Sequence, residues 1–567
     1  MTQPVAASGP LPLGRGRAAA WVWRAGWVAA AALPLIFLGI FFAWPVSSLV
    51  ARGFSSEAGS GLSAVTEVLS APRTWRIVRD TLTLATLGTL ASVLLGLPAA
   101  YLLYVVRFPG RGALRAFVTI PFVLPTVVVG VAFVALLGPR GPLAFLGWQE
   151  SLPAIVAALV FFNFSVVVRT VGGLWGRLDP RAVQAARALG ASPARAFRTV
   201  TLPALGPAIA SAATLVFLFC ASAFGIVLVL GGVRWSTIET EIWYQTTQLL
   251  DLPAAAALSI TQLVIVALAL MLTSWTGARQ ERALRLRGDA SGEHAWAWRR
   301  DGFASVVTGI VVATLLVLPL ATLVVRSLRN RTGWTLEHYR ALGTSVGRSL
   351  PVPVWVAIRN SLVVALQATV IALVVGVLVS LVVSRRPRDP LARSGLRVLD
   401  AVYMLPLGVS AVTVGFGFLI TLNRPPLDLR SSMILVPIAQ ALVALPLVVR
   451  SILPVLRAID PRQREVAATL GAPPWRVLAS VDGPFLLRGL GLAAGFAMAT
   501  SLGEFGATTF LTRLDRPTLP VVIFRLIGRP GEATFGAALA ASVVLATLTA
   551  LVVLLAERLR PAVASDL

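Results

Sequence analysis

The sequence predicts an all-α polytopic membrane protein made of two tandem six-helix halves in a parallel pseudo-twofold arrangement. Of its 567 residues, 57% are hydrophobic and only 13% are charged, and the mean hydropathy is +0.83, values typical of a chain that crosses the membrane many times. Apolar stretches of about 20 residues recur along the whole chain. A polar segment near residue 180 also recurs 281 positions later with no gap between the copies, which indicates an internal duplication.

The apolar stretches are long enough to cross a bilayer, and six fall in each half. The first stretch follows basic residues as a signal sequence does, but its length and the lack of an Ala-x-Ala exit predict a retained anchor with a cytosolic amino terminus. Since six crossings is an even number, both halves enter the membrane in the same direction. The predicted spans are 27–50, 80–105, 115–138, 152–174, 205–230, 252–275, 303–326, 360–384, 397–420, 431–453, 486–511 and 534–556.

The chain divides into a first half over 1–275, a polar cytosolic linker over 276–302, and a second half over 303–567. We expect the linker to join two former subunits and to be flexible enough that cutting it leaves the packed halves associated.

Charge excludes several classes of function. The net charge of +25 arises because 49 basic residues, all of them arginine, outnumber the acidic ones. Most of these arginines lie in loops that the positive-inside rule assigns to the cytosol, and this orientation places both termini there. The charge therefore implies no nucleic acid partner. Without lysine the chain has no Walker A motif, and we predict that it hydrolyses no ATP alone. One cysteine, Cys220, and two distant histidines offer neither a disulfide nor a metal site, and no cofactor is predicted.

The repeated segments cover 178–203 and 459–484. An aspartate and a proline that suit the start of a helix are followed ten residues later by a leucine and a glycine that suit its end. A second short helix should start at Ser192-Pro193 or Pro473-Pro474 and stop at Pro203 or Pro484, just before the next span. The sequence therefore predicts a helix–turn–helix that projects from the cytosolic face of each half.

Each predicted helix has an apolar face, for example Ala185, Ala186 and Leu189, opposite a polar one with Arg181 and Gln184. A single amphipathic helix of this kind more often lies on the membrane surface than in a protein interface. Two copies with the same spacing of cap, glycine and proline exceed what lipid contact requires, and they favour a docking element.

These segments resemble the EAA loop of ABC importer permeases, and the doubled loop resembles the fused permeases of the thiamine, ferric-iron and related importers. The resemblance implies that each loop forms a coupling helix in a cleft of a cytosolic ATPase subunit, with two ATPase copies per chain, an extracytoplasmic substrate-binding protein, and a location in the bacterial inner membrane among its lipids. The first loop departs from the pattern with Gln184 in place of glutamate, and the second has Gly483 where the first has Leu202. The implied ATPase-coupling residues are Asp179, Gln184, Ala185, Ala186, Gly190, Pro203, Asp460, Glu465, Val466, Ala467, Gly471 and Pro484.

The substrate implied by the resemblance is thiamine or its phosphate esters. Leu230-Gly231-Gly232 followed by Ser236-Thr237-Ile238-Glu239, and Thr518-Leu519-Pro520 in the second half, are similar to segments that follow the fifth span of each half in thiamine permeases. Similar stretches occur in ferric-iron and oxyanion permeases, which are the alternatives.

Glu504 stands out as an acid near the middle of the predicted span 486–511. An ionisable residue at that depth is a candidate for a site that faces a cavity, although a protonated or arginine-paired structural glutamate is the more common case. Phe505 follows it and corresponds to Phe224 in the first half, and we expect these three residues to line the substrate pathway. Gly503 and Gly506 should serve close helix packing.

An ion-coupled secondary transporter is the alternative from another class, because such carriers also use internal repeats and a midplane site. They usually need several membrane-embedded acids or histidines to bind the driving ion, and this sequence offers little beyond Glu504.

Overall fold

The computed structural model describes residues 14–56, 59–60, 66, 68–277, 293–343, 352–385, 389–423, 425, 427–429 and 432–558. Almost all of this is helix. The helices of the first half are α1 Gly14–Leu38, α2 Trp44–Gly53, α3 Pro72–Tyr104, α4 Arg111–Val123, α5 Thr126–Leu137, α6 Leu152–Trp175, α7 Arg181–Ala188, α8 Pro193–Ala196, α9 Leu202–Ala221, α10 Gly225–Leu230, α11 Ile238–Tyr244 and α12 Leu252–Gly277.

The second half repeats this order. Its helices are α13 Trp298–Val311, α14 Leu318–Ser327, α15 Glu337–Arg340, α16 Val354–Val383, α17 Pro390–Met404, α18 Ala411–Thr421, α19 Leu435–Arg457, α20 Pro461–Thr469, α21 Pro474–Val477, α22 Gly483–Gly503, α23 Thr508–Leu511, α24 Leu519–Ile527 and α25 Glu532–Arg558. π-helical turns join α1 to α2, α8 to α9, α13 to α14 and α21 to α22.

The strands are two-residue pairs: β1 Ser55–Ser56 with β2 Gly59–Ser60, β3 Val106–Arg107 with β4 His294–Ala295, and β5 Arg329–Asn330 with β6 Gly333–Trp334. The middle pair is parallel and joins the loop after α3 to the segment before α13. The other two pairs are antiparallel.

In the part of the chain that the structure describes, ten continuous helices are long and apolar enough to cross a membrane. They match ten of the predicted spans. The third predicted span, 115–138, is instead a pair of helices, α4 and α5, bent by 102°. The ninth, 397–420, is likewise broken into α17 and α18.

Contacts between helices show that both broken pairs still carry the chain from one end of the bundle to the other. Gly88 lies against Leu159, and farther along both helices Tyr104 lies against Gly172, so α3 and α6 run parallel. The chain must therefore return between them, through α4 and α5. In the second half the ends of α16 and α19 meet at Arg464, which binds Asp482 beside Arg385 and also reaches the Leu456 carbonyl. The predicted count of twelve crossings is thus supported, with two of them bent.

The first crossing of each half packs against the other half. Tyr403 Oη donates to the Ala31 carbonyl at 3.1 Å, which fixes α1 to α17. In the opposite direction Arg326 Nη1 donates to the Ala135 carbonyl at 2.7 Å, which fixes α14 to α5. The largest buried cluster takes residues from both halves, from Leu49 to Leu545. The halves are therefore interlocked rather than merely side by side.

The two ends of the predicted linker, 276–302, are helical in the structure. Helix α12 continues to Gly277, and residues 278–292 lie outside the described residues. Residues 293–297 follow the first half: Arg111 forms an ion pair with Glu293 at 3.1 Å. Helix α13 then begins at Trp298 because the Asp301 carboxylate accepts the Ala297 backbone N–H at 2.9 Å, which satisfies a donor at the helix start.

Candidate coupling loops and transport pathway

The two repeated loops fold from their own capping residues. Asp460 accepts the Arg462 backbone N–H at 2.9 Å and caps α20, as predicted. In the first loop Asp179 accepts the Arg181 N–H at the same distance, although α7 begins one residue later than predicted, at Arg181. Each aspartate thus satisfies one of the free N–H groups at the start of its helix.

Both helices end as the glycines predict. Gly190 and Gly471 have φ values of +87° and +82°, in the left-handed region that other residues rarely adopt. Beyond them, the N–H of Ala191 bonds the Ala186 carbonyl and that of Ala472 bonds the Ala467 carbonyl, each at 3.1 Å. A hydrogen bond from the N–H of residue i+5 to the carbonyl of residue i is that of the Schellman motif, which reverses the chain toward the next helix.

The predicted stop at Pro203 and Pro484 is wrong. Residues Pro193–Ala221 form one continuous helical span, and so do Pro474–Gly503. Ser192 caps the first of these by accepting the Arg195 N–H at 3.3 Å. A π-helical turn lies just before each proline, and a proline in the first turn after such a change of hydrogen-bond pattern need not end the helix.

Helices α7 and α20 project from the bundle, since neither contains a buried residue. Leu189 and Leu470, at equivalent positions, are 89% and 82% exposed. Val466 is exposed as well, and the polar residues Gln184 and Glu465 share these helices. Each half thus presents a short helix with apolar side chains facing away from its own bundle.

The two loops are mounted on the bundle by different contacts. Behind the first loop the rings of Tyr101 and Trp175 lie 5.4 Å apart, and Trp175 stacks on Phe197 with a centroid distance of 6.0 Å. The Tyr101 hydroxyl also donates to the buried Asp301 carboxylate at 2.8 Å, so the support combines stacked rings with a polar contact.

Behind the second loop lies an ion triad. Asp482 is only 1% exposed and binds Arg385 at 2.9 Å and Arg464 at 2.6 Å. Trp27 of the first half packs its ring on Arg385, with 4.7 Å from the guanidinium carbon to the ring centre. These four residues, with Ala468 and other residues of the loop, line a cleft of about 480 Å³.

The fifth and eleventh spans are broken where the sequence predicts continuous helices. Helix α9 ends at Ala221 and α10 starts at Gly225, while α22 ends at Gly503 and α23 starts at Thr508. Glu504 therefore follows the end of a helix and does not lie in the middle of one. Its carboxylate accepts the backbone N–H groups of Ala507 at 2.7 Å and Thr508 at 3.0 Å, and also the Thr508 hydroxyl.

Glu504 has no arginine partner among the described residues, so the predicted structural alternative of an arginine pair is not what this region shows. The glycines beside it pack closely, as predicted. A Cβ at Gly503 would lie 3.3 Å from Cα of Pro125, and one at Gly506 would lie 3.0 Å from Cβ of Ala411. The break of the second half is thus wedged between α5 of the first half and α18 of its own.

The structure brings the three predicted pathway residues together. Phe224 and Phe505 stack with their ring centroids 5.3 Å apart and an interplanar angle of 21°. Because the two residues correspond in the two halves, they meet at the pseudo-twofold axis. A second corresponding pair, Trp243 and Phe524, lies next to them, with centroids 5.8 Å apart, and Phe524 also contacts Phe505 at 5.4 Å. Four rings close the interface between the halves at this level.

One buried acid was missed from the sequence. Glu239 is fully buried on α11, where it accepts a hydrogen bond from the Ser410 hydroxyl of the second half at 2.9 Å. Glu239 belongs to the segment Ser236-Thr237-Ile238-Glu239, which is similar to a segment of thiamine permeases. The sequence places this acid between two spans and does not reveal that it is buried at the interface between the halves.

Comparison with known proteins places the chain. Residues 92–330 match the family described as binding-protein-dependent transport system inner membrane component. The thiamine transport system permease protein ThiP of Brucella suis biovar 1 (strain 1330) is 27% identical over 502 residues, which cover 85% of this chain and 87% of the relative. The protein of that name from Escherichia coli (strain K12) is 30% identical over 468 residues, 80% of this chain and 84% of the relative. The chain belongs to this permease family.

The permease is therefore a fused ABC importer permease, a multi-pass inner-membrane component of transport and not a catalyst, which confirms the prediction from the doubled loop. This decides against the ion-coupled secondary transporter. A shorter relative agrees with the duplication. The putative 2-aminoethylphosphonate transport system permease protein PhnV of Salmonella paratyphi A (strain ATCC 9150 / SARB42) is 29% identical over 273 residues, which cover 47% of this permease and 96% of the relative.

Proposed function

We propose that the permease imports thiamine or its phosphate esters, received from an extracytoplasmic binding protein and driven by two copies of a cytosolic ABC ATPase. The observation that carries the coupling is the pair of projecting helices. Both have the same caps and the same Schellman ending, both lie at one end of the bundle, and both expose a leucine at the same position, Leu189 and Leu470. Apolar side chains exposed on a short capped helix suit a cleft in a second protein.

The orientation follows from the same helices. If the coupling loops face the cytosol, so do the ends of the chain. Trp27 near the amino terminus lies in the cleft behind the second loop. Glu557 near the carboxyl end faces Ala116 and Thr119 of α4, close to where the chain leaves α3 on the coupling side. The arginine-rich loops at this end agree with the positive-inside rule.

The substrate is proposed from the relatives. The two that match over most of both chains carry the name thiamine permease. The phosphonate permease matches only half of this chain, so it supports the permease fold of one half more than it supports a substrate.

The pathway is proposed to run between the halves past Phe224, Phe505 and Glu504. In this structure the stacked rings close it, since Phe224 is 6% and Phe505 is 2% exposed. Closure of the two ATPase subunits would move the coupling helices, and through the continuous spans Pro193–Ala221 and Pro474–Gly503 it would move the breaks on which both phenylalanines stand. A rigid helix from the loop to the ring is a direct mechanical connection.

The test is reconstitution of the permease in proteoliposomes with an ABC ATPase and a binding protein from the same organism. We expect uptake of labelled thiamine that needs ATP and all three components, and a mass of the intact assembly with one permease chain for two ATPase subunits. The permease alone should hydrolyse no ATP. Two permease chains per assembly would contradict the fused pore, and ATP-dependent uptake of another ligand but not of thiamine would contradict the substrate.

A further inference from the structure

Two buried carboxylates stand where the halves meet. Glu239 of the first half touches the second half through Ser410, whose hydroxyl is also the cap of α18 and accepts the Thr413 N–H at 3.0 Å. Glu504 of the second half lies in a break that packs on Pro125 of the first half through Gly503. Both acids therefore lie at the contact between halves that must separate for a substrate to pass.

The two acids occupy related places in space although they do not correspond in sequence. The counterpart of Glu504 is Ala223, and the counterpart of Glu239 is Pro520. Gln262 donates both to Glu239 at 3.3 Å and to the Ala221 carbonyl at 3.2 Å, so Glu239 stands beside the break of its own half. Each half thus places one carboxylate at its helix break, the first from α11 and the second from the break itself.

A glutamine lies behind each carboxylate, in direct contact with Glu239 and one hydroxyl away from Glu504. Gln262 donates directly to Glu239, and Gln440 donates to the Thr508 hydroxyl at 3.2 Å, which in turn bonds Glu504. The Oε1 atoms of both glutamines are buried and have no partner within the described part of the chain, and the same is true of the Ser501 hydroxyl, one turn before Glu504. A ligand that brings hydrogen-bond donors would therefore find unpartnered acceptors beside both carboxylates.

Neither acid is neutralised by a cation among the described residues. Glu241, two residues beyond Glu239 on the same helix, shows the contrast: it is also buried, but it forms an ion pair with Arg73 at 3.1 Å. Buried charges in proteins are normally paired in this way. The two interface carboxylates lack their opposite charge, and an entering cation would supply it.

The surroundings indicate the kind of cation. Glu504 precedes Phe505, and Phe505 stacks on Phe224 and contacts Phe524. Aromatic faces attract organic cations with delocalised or quaternary charge. The described residues hold no group of three or more histidine, cysteine or acidic side chains placed for a metal ion.

We propose that Glu239 and Glu504 form a carboxylate pair that selects an organic cation with hydrogen-bond donors as it passes between the halves. This inference rests on the proposed function. Thiamine is an organic cation of this kind, because it carries a positive thiazolium ring and an amino-pyrimidine group that donates hydrogen bonds. Glu239 and Glu504 are recognition residues for the moving substrate, and the rings of Phe505 and Phe224 next to Glu504 would contact it as it passes.

The experiment uses the complete reconstituted complex and labelled thiamine. We expect Glu239→Gln and Glu504→Gln each to raise the KM for liganded binding protein or to lower maximal uptake by about tenfold, and the double variant by more, since charge-assisted hydrogen bonds contribute about this much. Glutamine has the size of glutamate, so the fold should survive, which the elution volume and thermal midpoint of the purified complex would show. Glu239→Asp keeps the charge and should restore part of the uptake.

The matched control is Glu241→Gln, the same change on the same helix at an acid that already has its arginine. It should leave the uptake parameters within about twofold of the wild type. Unchanged uptake in both Glu239→Gln and Glu504→Gln beside an active wild type would overturn the carboxylate pair and leave the proposed function standing. A wild type that takes up no thiamine, or that imports an anion, would overturn the proposed function and the pair with it.

Discussion

Replacing Asp482 by asparagine should weaken the mounting of the second coupling loop. The carboxylate of Asp482 is 1% exposed and joins Arg385, which follows α16, to Arg464 on α20. Asparagine keeps the size of the side chain but removes the negative charge. Two arginines would then face each other across the cleft with no charge between them.

The size of the effect follows from burial. Removing one partner of a fully buried ion pair costs about 3 to 5 kcal/mol, because the remaining charge is left without water and without compensation. Here the two arginine side chains are 28% and 19% exposed, so water can partly solvate them. We therefore expect a loss of stability of about 2 to 3 kcal/mol for Asp482→Asn.

The assay compares denaturant unfolding of the purified permease in detergent with the substrate-stimulated ATPase activity of the complex. Asp400→Asn is the control, since Asp400 pairs with Arg457 at 3.1 Å and both side chains are exposed, at 31% and 44%. It should cost less than about 1 kcal/mol. If the Asp482→Asn variant is no less stable than the Asp400→Asn variant, and its complex shows the same substrate-stimulated ATPase activity as the wild type, the triad does not hold the second loop.

Three further predictions concern the loops, the linker and the gate. Gly190→Val or Gly471→Val forces a branched residue into a left-handed conformation, at a cost above about 1 kcal/mol. ATP-driven uptake should therefore fall, while insertion of the protein into the membrane persists. Full uptake by the double variant would show that these loops have no coupling role. Co-expressed fragments 1–288 and 289–567 should restore uptake, because the first crossing of each half is fixed to the other half. Uptake by either fragment alone would contradict a pore formed by both halves. Phe505→Ala removes a ring packed between two others and should let thiamine cross the proteoliposome membrane without ATP. Phe505→Leu should allow a slower leak. Equal rates of ATP-independent leak for the wild type and both variants would show that the rings are not the gate.

The coupling loops could be predicted residue by residue because their shape is decided locally. An aspartate that caps a helix and a glycine at positive φ act through neighbouring backbone groups, so their positions in the sequence suffice. Asp460 and Gly471 accordingly do what their spacing predicts. The predicted helix stops at Pro203 and Pro484 were wrong because the effect of a proline also depends on the local hydrogen-bond pattern. A π-helical turn before Pro203 changes the hydrogen-bond pattern, and sequence punctuation does not reveal such a turn.

Hydropathy predicted the number of crossings but not their breaks. It averages over about 20 residues and does not register a chain that turns by 102° between Val123 and Thr126 while remaining apolar. The ends of α9 and α22 were missed in the same way, since Glu504 alone marks one of them. Glu239 could not be assigned from the sequence because its importance depends on Ser410, 171 residues away in the other half.

The unequal mounts of the two loops bear on how a duplicated permease can diverge. Arg385, Arg464 and Asp482 correspond to Tyr104, Val183 and Thr201 in the first half. A single one of these positions changed to a charge would leave an ion without a partner, so Asp482 requires at least one of the two arginines. Fusion permits this because each loop then has its own sequence, whereas a homodimer would have to carry the same triad twice. The first mount stacks rings beside the Tyr101–Asp301 hydrogen bond, whereas the second depends on two ion pairs to Asp482. Removing the charge of Asp482 should therefore loosen the second loop and leave the first in place. A fused permease can therefore give its two loops mounts of different kinds. Asp482→Asn should accordingly lower uptake more than a truncation at Trp175 or Phe197 does, when the variants are compared at equal amounts in the membrane.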